Sequence, residues 1–158
     1  MSRSSKRTAP LWQCGKCGRS FANRNQTHSC SNVSLESHFA GRSENVSKLF
    51  DALSAMIKQC GPVRILPEKT RIAFQVRMSF IAVQVRQDYL IGHLVLARRL
   101  DHPRFTRVET FSPRNHLHAF RLDSVADLND EFETWVREAY AVGEQKHLRE
   151  RSDTFRDV

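Results

Sequence analysis

Between residues 43 and 143 the spacing of hydrophobic positions changes from helical to alternating and back. From Val46 onward, Leu49, Phe50, Leu53, Met56, Ile57 and Cys60 recur at intervals of three and four. That spacing places them on one stripe of a helix. Ser43 followed by Glu44 is a start signal, and Gly61-Pro62 is a stop. A second stripe runs through Val125, Leu128, Phe132, Trp135, Val136, Ala139 and Tyr140. It predicts a helix beginning near Asp123-Ser124 and ending at Gly143.

Between the two stripes the period falls to two. Residues 70–77 (TRIAFQVR) set Ile72, Phe74 and Val76 on one face and Arg71, Ala73, Gln75 and Arg77 on the other. Residues 80–86 repeat the alternation, and residues 89–97 (YLIGHLVLA) are apolar enough for a central strand. Residues 105–111 and 117–122 are weaker strand candidates, and residues 63–66 add a short edge. Short connections between such runs make hairpins. The expected fold is α+β: an antiparallel five- to six-stranded sheet bracketed by an N-terminal and a C-terminal helix. Both helices belong on one sheet face, because each apolar stripe needs cover.

The flanks read differently. Residues 1–10 are Ser- and Arg-rich without periodicity and are expected to form a disordered basic arm. Residues 11–42 hold a cysteine cluster and little that could make a core, so they are assigned to a small zinc-binding unit. Residues 43–143 form the α+β domain, and residues 144–158 a charged tail. No apolar run approaches the ~18–20 residues of a membrane span. The N-terminus has no secretory pattern, so a cytoplasmic protein with reduced thiols is expected.

Reduced, clustered cysteines point to metal. Cys14 and Cys17 lie three apart, with Gly18 next in the chain to let the backbone turn. His28 and Cys30 supply one imidazole and one thiolate, completing a tetrahedral zinc site, and Phe21 can pack beneath it. His38, eight residues past Cys30, is a rival for the histidine position. Ten residues separate Cys17 from His28 and one separates His28 from Cys30. That leaves no room for the recognition helix of a base-reading finger. Cys60 lies on the first helix stripe and reads as a small buried hydrophobe.

The formal net charge of +8 is unevenly spread. Residues 62–122 carry eleven Lys/Arg against four acids, while residues 123–158 carry five against ten. A polyanion should therefore meet the front and middle of the chain. The candidate ligand residues are Arg77, Arg86, His93, Arg98, His116 and His118, with Arg107 and Arg121 in the same basic section. If several share the sheet face opposite the helices, they form a concave cationic surface suited to phosphate or carboxylate. The competing expectation is an ordinary solvated outer face. No Gly-rich phosphate loop, nucleophile elbow or H-E-x-x-H is present, and a zinc with four protein ligands is closed to substrate.

The order KLFDAL, KTRIAF, FIAVQVR, HPRFTRVE, HLHAFRL and FETWVREAY across residues 46–141 resembles a bacterial domain family of unknown function. That resemblance implies a helix-flanked antiparallel sheet. The segment WQCGKCGRSF through THSC resembles the zinc-binding lead of some family members, which implies the same four ligands. It supplies no catalytic residue. Three functions remain open: a zinc-stabilised module contacting nucleic acid through its basic surface, a small-anion binding or enzymatic domain using the sheet face, or a protein-interaction adaptor docking through the zinc unit.

Overall fold

The computed structural model describes residues 10–16, 18–25 and 33–146. Strands β1 (Trp12–Gln13) and β2 (Ser20–Phe21) form a small antiparallel hairpin. Helix α1 (Glu44–Lys58) follows, capped by the Ser43 hydroxyl, which accepts a hydrogen bond from the Val46 amide at 3.4 Å. Then come β3 (Arg64–Pro67), β4 (Ile72–Gln75), β5 (Ser79–Val85), β6 (Leu90–Leu96), β7 (Arg107–Ser112) and β8 (Asn115–Leu122). Helix α2 (Asp130–Gly143) closes the domain.

The main sheet has six antiparallel strands in the order β3-β4-β5-β6-β8-β7. Both helix stripes bury against one of its faces. Leu49, Leu53 and Ile57 of α1 and Phe132, Val136 and Ala139 of α2 are fully buried in one core with Ile72, Phe74, Leu90 and Leu94. That core extends N-terminally of α1, where Phe39 sets its ring edge-on to Phe50 at 5.1 Å.

Two expectations are corrected. The second helix begins at Asp130 rather than near Asp123, because Ser124 and Asp127 close a capping box around a separate 3-10 turn at Val125–Asp127. Leu128 then leaves helical geometry, and Asn129 caps α2 by accepting the Phe132 amide at 2.9 Å. Val125 is consequently 49% exposed instead of sharing the buried stripe. In the second case, the alternation in residues 70–77 stops early. A bulge between Phe74 and Gln75 shifts the register so that Gln75 pairs with Ser79, the strand ends there, and Val76 is only half-buried. Ala73 and Gln75, expected on the polar face, are buried.

Gly92, in the middle of β6, is required by close approach. A Cβ there would lie 2.4 Å from the Ala82 carbonyl oxygen and 2.9 Å from Val83 Cγ1.

Candidate functional site

The pairing register decides what lies on the face away from the helices. Residues directly opposite across antiparallel strands share a face. Arg107 pairs with Ala119, Ala119 with His93, His93 with Ala82, and Ala82 with Ala73. This row crosses five strands, and three of its five positions are alanine. The next row runs Arg121, Ile91, Gln84, with Arg71 just beyond the last β4–β5 pair. Small side chains flanking His93 and long ones around them leave an open hollow of about 410 Å³. His93, Ala82 and Ala119 make its floor, and Arg71, Arg107, Arg121, Gln84 and Ile91 its rim.

Electrostatics set the state of the floor. Burial, followed by the positive charges of Arg71 and Arg107, pushes the His93 pKa down to about 4. The imidazole is therefore neutral near pH 7 and offers one donor and one acceptor. Each rim arginine has a carboxylate partner: Arg71 with Glu68 at 2.7 Å, Arg107 with Glu109 at 2.8 Å and Arg121 with Asp123 at 2.9 Å. Arg121 also lies 3.8 Å above the Tyr89 ring. These guanidiniums are 45–64% exposed, so water screens their ion pairs and an incoming anion can compete for them.

Of the six candidate ligand residues, only His93 enters this hollow. Arg86 lies in an adjoining depression that also contains Gln84. Arg77 turns to the end of α2, donating to Gln145 Oε1 at 2.9 Å. Arg98 makes a two-pronged pair with Glu138 of α2 at 2.9 and 3.0 Å. His116 and His118 do share one face, but it is the helix side, where they pair with Leu96 and Leu94. The Leu100 amide donates to His118 Nε2 at 3.0 Å, so the ring proton sits on Nδ1, which donates to the His116 carbonyl at 2.9 Å. His118 is a fully buried structural residue, and its burial pushes its pKa down. Sequence reading grouped these residues by charge, and it passed over Arg71. The usable signal was the alanine at the matching position of three strands, which becomes visible once the hairpin registers are known.

At the other end of the chain, Cys14 follows β1 and is buried. Its carbonyl accepts the Gly18 amide at 2.9 Å, Gly18 has a φ of 75°, and the Lys16 amide points at Cys14 Sγ at 3.4 Å. Cys17, His28 and Cys30 lie outside the described residues. Among the described residues no group of three or more His, Cys, Asp or Glu side chains is placed to hold a metal ion. Also among them, no helix is long and apolar enough to cross a membrane.

Fold and face together define a small α+β protein with a helix-backed antiparallel sheet and a cationic hollow on its open side. Residues 35–143 match the family described as a domain of unknown function (DUF5655), and the chain belongs to it. No curated protein and no solved structure matches the chain.

Proposed function

We propose that the chain is a non-enzymatic module that binds the phosphate backbone of nucleic acid on the open face of its sheet. The observation that carries this reading is the convergence of Arg71, Arg107 and Arg121 on the neutral imidazole of His93 in one hollow. Arginine forks suit phosphate oxygens, and a neutral imidazole with Gln84 beside it can bond a sugar hydroxyl or base edge. Among the described residues the lining holds no carboxylate, and its one hydroxyl is that of Thr106, which bonds the Ala119 carbonyl at 3.4 Å.

The hollow's volume, about 410 Å³, also falls within the range of small-molecule sites. A small phosphorylated ligand is thus the second reading. Fluorescence anisotropy with unrelated single-stranded and duplex oligonucleotides separates the two. Backbone binding requires affinity to fall steeply with salt, because each neutralised phosphate releases counterions. The double variant Arg71→Gln/Arg107→Gln should bind about tenfold or more weakly and show a shallower salt slope. No binding at about 50 mM salt, or binding indifferent to salt, rejects the nucleic-acid reading.

We further propose that Cys14, Cys17, His28 and Cys30 hold one structural zinc that orders the N-terminal unit. A Gly18-assisted turn with an amide aimed at the Cys14 sulfur supports this, since such a turn favours a thiolate and leaves it able to ligate. Elemental analysis of purified protein should find one zinc per chain.

A further inference from the structure

A second depression adjoins the first, and Gln84 lines both. Arg42, Lys69 and Arg86 converge on it with His38, around a volume of about 410 Å³. Its charge balance differs from that of the first hollow. Arg71, Arg107 and Arg121 each pair with a carboxylate. By contrast, among the described residues none of Arg42, Lys69 and Arg86 forms an ion pair, and no carboxylate lines the depression. Arg42 and Arg86 reach only the neutral amides of Gln87 and Gln84, each at 3.5 Å. The His38 ring also lines the depression, with its Nε2 shielded from solvent. Three like charges around one concavity with no carboxylate among them repel one another, and an oxyanion placed there would relieve that cost.

Gln84 and Arg86 are two residues apart on the same face, about 6.6 Å at the usual strand rise. Because Gln84 lines both depressions, the two lie side by side on this face. We propose that this second depression is a phosphate subsite that takes a neighbouring phosphate of the strand bound at the His93 hollow. The open face would then hold a single-stranded backbone across two hollows bridged by Gln84. A single strand is favoured because its backbone can bend each phosphate into a separate depression, whereas a duplex is stiff over such lengths. The inference rests on the reading of the first hollow as a phosphate site.

The test uses the full chain and a fluorescein-labelled single-stranded DNA of about ten nucleotides, followed by anisotropy across a salt series. Lys69→Gln/Arg86→Gln is compared with Arg71→Gln/Arg107→Gln, with thermal melting as the control for folding. Each double variant should weaken binding about tenfold and make the log–log salt slope shallower by about 0.7 per lost phosphate contact. The corresponding duplex should bind more weakly than the single strand. Wild-type affinity and slope in Lys69→Gln/Arg86→Gln alone would overturn the subsite and leave the first hollow standing. Loss confined to that variant would overturn both the first-hollow reading and the idea of one strand spanning both. No effect in either variant overturns the whole reading, and equal affinity for duplex overturns the single-strand assignment.

Discussion

Arg19, in the N-terminal hairpin, holds Glu68, in the turn between β3 and β4, at 3.1 Å, and the two side chains are only 15% and 12% exposed. The same carboxylate bonds Arg71, on the rim of the His93 hollow, at 2.7 Å. One acid therefore ties the hairpin to the sheet and orients a residue of the candidate site.

Glu68→Gln should cost about 1–3 kcal/mol, chiefly because it leaves the largely buried Arg19 guanidinium without its carboxylate, while Arg71 keeps access to water. Burial alone would raise the Glu68 pKa, but hydrogen bonds and charge from Arg71 and then Arg19 outweigh it and hold it below the ordinary 4.5. A depressed carboxylate pKa gives stability that is present above the unfolded value and lost as pH falls through the folded one. Chemical denaturation of wild type should thus weaken below about pH 4.5, and the variant should lack that part of the loss. An unchanged acid profile in Glu68→Gln would show that the pair contributes nothing.

His93 gives a second pH signature. Its folded pKa of about 4 lies below the ordinary 6.5, so the unfolded chain takes up a proton first as pH falls. Stability should drop by on the order of 2–3 kcal/mol between about pH 6.5 and pH 4, and His93→Gln should remove that slope. By linkage, a phosphate bound in the hollow must raise the midpoint. Proton NMR should find the His93 ring titrating near 4 in free protein and higher with ligand. A midpoint that does not move with saturating oligonucleotide places the ligand elsewhere.

Much of the fold was legible in the sequence because it follows from periodicity. The stripe from Val46 to Ile57 and the alternation around Ile72, Phe74 and Ile81 each name one buried face, and the structure buries those residues except Met56, which is half-buried. The start of α2 was not legible, since Ser124 and Asn129 are both good caps and the Ser124–Asp127 capping box closes a separate turn before Asn129 starts the helix. The site was legible as a charge imbalance but not as a place. His93 and His118 look alike in sequence, yet β6–β8 pairing puts them on opposite faces, one in a cationic hollow and one in the core. A one-residue difference in register reverses such an assignment.

The Leu100–His118 contact yields a stability prediction independent of any ligand. His118→Leu keeps apolar bulk but leaves the Leu100 amide and the His116 carbonyl without their ring partners. Unmet hydrogen bonds of this kind cost about 1–3 kcal/mol each when buried. The midpoint of urea unfolding should fall accordingly, with the salt slope of oligonucleotide binding unchanged, since the ring faces the helices. Altered binding without altered stability would contradict the assignment of His118 to the core.

The zinc proposal gives the last prediction, and the structure sharpens the choice between His28 and His38. His38 shares its depression with Arg42, Lys69 and Arg86. A divalent cation there would face three positive charges with no carboxylate to offset them, which disfavours His38 as a ligand. His38→Ala should therefore retain one zinc per chain. His28→Ala should weaken zinc by several kcal/mol, the scale of losing a structural ligand, and Cys17→Ser should do the same. Since the hairpin is tied to the sheet through Arg19 and Glu68, loss of metal should also lower the melting temperature of the sheet domain slightly without unfolding it. Elemental analysis and thermal melting of the three variants decide the matter. Zinc lost from His38→Ala but kept in His28→Ala would move the site to Cys14, Cys17, Cys30 and His38. A wild-type chain that melts cooperatively without bound zinc, hairpin included, would remove the metal altogether.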